Sequence, residues 1–107
     1  MAPRRRFQIS YAPIVKEHLR VVERKYYSLL KEQIELHLLD APEQETAQRK
    51  RLGPTTEVEA DWELRCGPNN RLRVFYRVDM RAGVVEIVGI GVKRGSKLRM
   101  GGEEVGL

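Results

Sequence analysis

The spacing of apolar side chains changes along the chain, and each change predicts a different kind of element. In residues 6–11 apolar and polar positions alternate, which is the pattern of a half-buried strand. From Ile14 to Leu39 the apolar residues recur every three or four positions without Gly or Pro, as in a helix. This stretch is either one long helix or two helices that meet near Arg24-Lys25. Pro42 ends it, because the residue before a proline avoids the α conformation.

The second half of the chain has the pattern of strands joined by short turns. Apolar residues alternate largely with charged ones in residues 60–66 and 71–79, and the turn signal Gly-Pro-Asn-Asn separates the two runs. Residues 84–92 are almost entirely apolar, which is typical of a central strand covered on both faces. Within them, Gly89 and Gly91 predict a bulge or a close approach of another backbone segment. Short turns favour an antiparallel sheet, and the helical stripe must cover one of its faces.

The composition adds a basic character to this picture. The chain has 107 residues, of which 41% are hydrophobic, so we expect residues 1–107 to form a single domain with one core. Lys and Arg number 20 against 15 Asp and Glu, a net charge of +5 that favours RNA, DNA, an acidic protein or a membrane surface as partner. No apolar run approaches the ~20 residues of a membrane span, and no signal-peptide pattern is present. We therefore expect a cytoplasmic protein outside the membrane.

Strand alternation sorts the charged side chains of residues 71–79 onto one face of the predicted sheet. The positions expected to meet the helices are Leu72, Val74, Tyr76 and Val78. The positions expected on the other face, next to Arg65 of the preceding strand, are Arg71, Arg73, Phe75 and Arg77. Guanidinium groups bind phosphate through two oxygens at once, and an aromatic ring among them can stack on a base. The pattern indicates either an RNA-binding face or a solvated face whose charges prevent aggregation.

Few other side chains suggest chemistry. His18 and His37 lack the spacing of metal ligands, so we expect surface or partly packed histidines and no metal site. Cys66 is the only cysteine, which excludes an intrachain disulfide, and we expect it to be a small buried side chain. We expect Trp62 to anchor the core and Glu63 to pair with an arginine on a neighbouring strand.

Three segments of the second half occur in a distinctive order. They are Asp61–Gly67 (DWELRCG), Arg73–Asp79 (RVFYRVD) and Ile87–Lys93 (IVGIGVK). Together with the connector Glu45–Leu52 and the tail Lys97–Glu104, they resemble the RelE/ParE family of bacterial toxins. The resemblance extends from Phe7 to Leu107, and it is more specific for the family than for any one activity within it.

The resemblance implies an α+β fold, in which two N-terminal helices pack on one face of a small twisted antiparallel sheet in the order β-α-α-β-β-β. It also implies a cognate antitoxin that masks the basic surface. RelE-like members cleave mRNA on the ribosome without a metal or other cofactor: the 2′-hydroxyl attacks the adjacent phosphate, and Arg and Lys side chains stabilise the transition state. ParE-like members instead inhibit DNA gyrase without cleaving RNA. A third alternative is a decayed toxin that only binds its antitoxin.

Carried over position by position, the resemblance implies catalytic roles for Arg73, Lys93 and Arg65. The expected RNA-binding residues, from the resemblance and from the sheet pattern together, are Arg71, Arg77, Arg94, Arg49, Lys50 and Phe75. Two positions depart from RelE, which has a C-terminal tyrosine near the position of Met100 and a lysine at that of Glu63. Either Lys93 or a differently placed group therefore activates the 2′-hydroxyl, or the nuclease is weak.

Overall fold

The computed structural model describes residues 6–54 and 57–106. The rest of the predicted 1–107 domain lies outside the described residues, as does Leu107, where the family-like sequence ends. No helix in the described ranges is long and apolar enough to cross a membrane. The elements are β1 (Gln8–Tyr11), α1 (Ile14–Leu19), a 3-10 turn (Arg24–Tyr26) that runs into α2 (Tyr27–Leu38), β2 (Arg49–Arg51), β3 (Trp62–Cys66), a second 3-10 turn (Pro68–Asn70), β4 (Leu72–Asp79), β5 (Val84–Arg94), β6 (Lys97–Met100) and β7 (Glu103–Val105).

The predicted fold class, two N-terminal helices on a small antiparallel sheet in the order β-α-α-β-β-β, is wrong. The described chain is mostly β, with seven strands in one sheet of order β2-β3-β4-β5-β6-β7 and β1 paired in parallel with β5. Its one long helix has 15 residues and comprises the first 3-10 turn and α2, whereas α1 has only six residues. Glu23, at φ −59° and ψ 133°, interrupts the helical run that the apolar spacing had suggested.

The additional strands arise where alternation gave no signal. β2 is a run of three basic residues within the polar connector. β6 and β7 are joined by Gly101 and Gly102, whose φ angles of 61° and 86° suit a two-residue hairpin turn. Because Met100 pairs with Glu103 across this turn, the Gly-rich tail adds two strands to the sheet instead of trailing from it.

The sheet is organised around β5, the longest strand. β4 pairs with it along one edge from Val84 to Val92. The other edge is shared: β1 runs parallel along Val84–Ile87, and β6 runs antiparallel along Val92–Arg94. The prediction of a central strand at residues 84–92 is confirmed, since strands lie on both of its edges.

The helix-facing side of the sheet carries the main core, as the alternation predicts. Leu72, Val74 and Tyr76 are at most 2% exposed and pack with the buried side of α2. Trp62 is a core anchor, as expected: its ring stacks on that of Tyr76 with centroids 6.2 Å apart. The Tyr76 hydroxyl donates a hydrogen bond of 2.8 Å to the carbonyl of Pro42, and burial raises the pKa of this phenol.

The opposite side of the sheet has a smaller core of its own. Phe75, Val58 and Leu98 are buried there, and the side chains that pack around them are Leu52, Ala60, Val88, Met100 and Val105. The glycines of β5 make this packing possible: a Cβ on Gly91 would lie 2.9 Å from Cδ1 of Leu98 and 3.0 Å from the carbonyl oxygen of Arg99. The β4–β5 register also shifts between Phe75 and Tyr76, which leaves Val88 as an extra residue. The predicted bulge and the predicted close approach are both confirmed.

We expect Gly91→Ala to lower the free energy of unfolding by about 1–3 kcal/mol, because the added methyl group overpacks the β5–β6 contact. Urea denaturation at constant pH measures the change. Gly53→Ala is the matched control, since no atom lies within 4 Å of the added Cβ, and it should stay within about 0.5 kcal/mol of the wild type. Equal stability of the two variants would contradict the close approach.

Candidate nucleic-acid interface at one end of the sheet

Four strand termini meet at one end of the sheet. Because β3, β4, β5 and β6 pair antiparallel in that order, β3 and β5 end where β4 and β6 begin. We call this region the basic end, after six cations: Arg65, Arg71, Arg73, Lys93, Arg94 and Lys97. The opposite end, around the β4–β5 turn, carries Asp61, Asp79 and Glu86 in addition to Arg77 and Arg81. The basic end therefore gathers six cations, and it also has carboxylates, at Glu63 and, beside Lys93, at Glu57 and Glu104.

A buried carboxylate organises this end. Glu63 is 2% exposed, and its two oxygens accept hydrogen bonds from Nε of Arg65 at 2.8 Å and from Nη1 of Arg73 at 3.1 Å. The two arginines lie directly opposite each other on β3 and β4. Like charges in such a pair repel, so the carboxylate between them is what lets both guanidinium groups occupy one face. The predicted pairing of Glu63 with an arginine on a neighbouring strand is confirmed.

The two arginines that bind Glu63 differ in their exposure to solvent. Arg73 is 7% exposed and uses a second donor, Nε, on the carbonyl of Asn70 at 2.8 Å. The Arg65 side chain is 38% exposed, and within the described ranges its Nη1 and Nη2 groups form no hydrogen bond. Of the two predicted catalytic arginines, Arg65 can therefore meet a phosphate directly, whereas Arg73 acts through Glu63 and through the β3–β4 turn.

Lys93, the third predicted catalytic residue, lies on the same face of the sheet as these arginines. Gly91 is opposite Arg73, and Lys93 follows two positions later on β5. Strands are about 4.8 Å apart and rise about 3.3 Å per residue, so the backbones of Arg65 and Lys93 are roughly 12 Å apart. This separation is within the combined reach of two long side chains. Lys93 lines a shallow pocket with Leu98 and two carboxylates, those of Glu57 and Glu104.

Two predicted RNA-binding residues are buried, although the sequence pattern placed them on exposed surface. Phe75 is 0% exposed in the smaller core, so its ring cannot stack on a base. Arg49 is 8% exposed and donates to the carbonyls of Gln44, at 2.9 Å, and of His37. It thereby fastens the C-terminal end of α2 to β2. Lys50, its neighbour, is half-buried on β2 opposite Glu63.

The remaining predicted contacts do not share one face. Arg71 precedes β4 in a helical conformation (φ −74°, ψ −27°), so strand alternation does not apply to it. It lines a cleft on the helix-facing side together with Arg94. Arg77 lies about 13 Å along β4 from Arg73, and its Nη2 donates to the carbonyl of Glu59 at 2.7 Å. Of the four positions expected on one face, Arg73, Phe75 and Arg77 share it, as strand alternation predicts, whereas Arg71 does not.

His18 has a role that the sequence did not reveal. β1 and β6 leave a gap along their shared edge of β5, and there Nδ1 of His18 accepts a hydrogen bond of 3.2 Å from the amide of Ile90. Burial lowers the pKa of His18 below its usual 6.5, which favours the neutral ring that this bond requires. The predicted description of a partly packed histidine is confirmed, whereas the hydrogen bond depends on a contact 72 residues away in sequence.

The thiol of Cys66 and the search for metal ligands add no further candidate chemistry. Cys66 is buried, as expected, and burial raises its pKa to about 11. Among residues 6–54 and 57–106, no group of three or more His, Cys, Asp and Glu side chains is arranged to hold a metal ion.

The chain matches no protein-family model and no curated protein sequence. Its resemblance to the RelE/ParE family stays a prediction that rests on the segments described above.

We expect Glu63→Ala to lower the free energy of unfolding by about 3–5 kcal/mol, because it leaves the buried Arg73 guanidinium without its counter-charge. Thermal and urea denaturation measure the loss. The exposed pair of Glu17 and Arg20 offers a control, and Glu17→Ala should cost no more than about 1 kcal/mol. Similar losses in the two variants would show that the Glu63 cluster does not organise the basic end.

The free energy of unfolding should fall as the pH drops from about 7.5 to about 5.5. Burial lowers the pKa of His18, and burial together with Arg49 lowers that of His37, so the unfolded chain binds more protons in this range than the folded chain. His18→Gln removes one of these groups and can keep an acceptor for the Ile90 amide. Its urea-unfolding free energy should therefore depend less on pH than that of the wild type, and an unchanged dependence would contradict a neutral, buried His18.

Proposed function

We propose that this chain is the toxin of a toxin–antitoxin pair, and that its basic end binds mRNA on the ribosome and promotes cleavage of the RNA backbone. The observation that carries the proposal is the meeting of six cations at four neighbouring strand termini. RNA binding is dominated by such contacts to phosphate. The sequence resemblance adds the toxin class and the cognate antitoxin, and a cytoplasmic location is part of the proposal.

In the proposed mechanism, the basic end positions one phosphodiester and stabilises the charge that develops on it. The 2′-oxygen of the RNA forms a bond to phosphorus, and the bond from phosphorus to the 5′-oxygen breaks. Arg65, whose Nη groups face solvent, offsets the negative charge that builds up on the non-bridging oxygens. Glu63 and Arg73 act as positioning residues because they fix the direction of the Arg65 side chain.

Lys93 is the candidate for the proton transfer. It lies on the same face as Arg65, and an RNA backbone across this face can present its 2′-hydroxyl to Lys93 while a phosphate oxygen meets Arg65. The uncharged amine form of Lys93 takes the 2′-hydroxyl proton, and the resulting ammonium group returns that proton to the leaving 5′-oxygen as the chain breaks. The products are a 2′,3′-cyclic phosphate and a 5′-hydroxyl, so the atoms of substrate and product balance without a further reactant.

We expect induction of the wild-type chain in bacterial cells to create new mRNA 5′ ends at codon-phased positions. Lys93→Ala and Arg65→Ala should each reduce these ends by about 100-fold, the usual effect of losing a proton-transfer group or a charge-stabilising donor. Genome-wide mapping of 5′ ends measures the change, at protein levels matched by immunoblot. Arg81→Ala is the charge-matched control, since Arg81 is exposed in the turn at the opposite end of the sheet.

The other outcomes of this experiment are informative as well. Growth arrest without new 5′ ends would contradict the nuclease and indicate a protein target, such as DNA gyrase. Absence of arrest at a verified protein level would contradict the toxin itself. If both variants still cleave mRNA, the chain is a nuclease whose active site lies outside the basic end.

A further inference from the structure

A small cleft opens on the helix-facing side of the basic end. It lies between the segment that follows α1 and the turn that joins β3 to β4, and its volume is about 60 Å³. Arg71 and Arg94 line it together with Tyr26 and Pro68, and the buried side chain of Leu72 contributes to its apolar part. A cavity of this size admits a group of a few heavy atoms, such as a phosphate, and is too small to enclose a nucleobase.

The charges around this cleft do not cancel. Glu23 also lines it, but its carboxylate lies 3.4 Å from Nζ of Lys25 and is paired with that ammonium group. Within residues 6–54 and 57–106, neither Arg71 nor Arg94 forms an ion pair. Both arginines are exposed. Two guanidinium groups that form no ion pair within the described residues lie beside a cavity of this size. They favour the binding of a phosphate, because each guanidinium group can contact two phosphate oxygens.

The aromatic ring of Tyr26 adds a second kind of contact. Tyr26 is half-buried, and it lines the same cleft as the two arginines. A flat ring beside a phosphate site is the arrangement that stacks an unpaired base while its phosphate is held by cations. The cleft can therefore hold a phosphate beside the two arginines and the adjoining base against Tyr26.

We infer that this cleft is a second phosphate subsite for single-stranded RNA, apart from the phosphate that Arg65 and Lys93 contact. The inference rests on the proposed function. It adds the path that the RNA takes over the protein surface, and it specifies that the RNA is single-stranded. Arg71 and Arg94 line the helix-facing side of the sheet, whereas Arg65 and Lys93 lie on the other side. RNA that contacts both sites must turn around the end of the sheet. A single strand can make that turn, whereas a stiff duplex cannot.

Binding of a short fluorescent oligouridylate to the purified chain tests this subsite. Fluorescence anisotropy over a series of salt concentrations gives the dissociation constant and its salt dependence. For Arg71→Gln/Arg94→Gln we expect about tenfold weaker binding at low salt. The slope of log affinity against log salt should shrink by about 0.7, which corresponds to one phosphate contact on a single strand. For Tyr26→Leu we expect a loss on the order of tenfold with an unchanged slope, because stacking is lost and no charge is removed.

The control removes two charges elsewhere. Arg24 and Arg81 are exposed and lie outside both proposed contact sites, so Arg24→Gln/Arg81→Gln measures the effect of net charge alone. Each variant should still unfold in a cooperative thermal transition above the temperature of the binding assay, which verifies that it is folded. A second pair, Arg71→Lys/Arg94→Lys, should retain the wild-type slope, because it keeps both charges.

The outcomes separate the subsite from the proposed function. The subsite would be overturned if Arg71→Gln/Arg94→Gln binds RNA as tightly as the control Arg24→Gln/Arg81→Gln. If Arg65→Gln/Lys93→Gln binds more weakly than both, the proposed function still stands. Failure of the wild-type chain to bind RNA at low salt would overturn both. Binding of duplex RNA as tight as that of the single strand would overturn the path around the sheet end, and tighter binding of the matching single-stranded DNA would overturn RNA as the ligand.

Discussion

The structure depends on the pairing of β5 along both of its edges. A buried strand must satisfy its backbone amides and carbonyls, and β5 has 11 residues to satisfy. One edge is covered by β4, and the other is divided between β1 and β6, with His18 supplying an acceptor in the gap. Since β5 fixes where β4 and β6 begin, it also fixes the place at which their cations meet.

The same strand explains why one side of the sheet is only partly open. Gly89 and Gly91 lack the side chains that would hold β6 away, so Leu98 and Met100 come to lie over them. The smaller core that results buries Phe75, which separates the exposed Arg77 from the cations of the basic end on that side of the sheet. The packing of the tail over this side of the sheet thus follows from the two glycines of β5.

Glu63 supplies the second constraint on the candidate site. Two arginines opposite each other on adjacent strands are unfavourable unless an anion lies between them. The buried carboxylate of Glu63 meets both, so the Nη groups of Arg65 are held at the surface in a defined direction. In the proposed mechanism this fixed guanidinium group is the preformed contact for a phosphate, which electrostatic stabilisation of a reacting phosphodiester requires.

The sequence predicted local features well and distant ones poorly. Strand alternation placed Leu72, Val74 and Tyr76 in the core correctly, and it made Glu63 a partner for a neighbouring arginine. It could not show that the tail covers Phe75, because that contact joins β4 to a strand formed more than 20 residues later.

Three further errors have physical causes within short segments. The apolar spacing predicted helix on both sides of Glu23 without a break, but the extended backbone of Glu23 separates α1 from the long helix. Strand alternation was also used to assign Arg71 to a face of the sheet, but Arg71 lies in a turn, where side chains do not alternate between faces. Arg49 was predicted to be an exposed cation, but its guanidinium donates hydrogen bonds to the carbonyls of His37, near the end of α2, and of Gln44.

The central claim is that RNA binds at the basic end of the sheet, and an NMR titration of the ¹⁵N-labelled chain with a short single-stranded RNA tests it most directly. We expect the largest amide shift changes in residues 65–73 and 93–97, with little change in the β4–β5 turn at residues 80–83. Changes centred on that turn, or no changes at low salt, would contradict the claim.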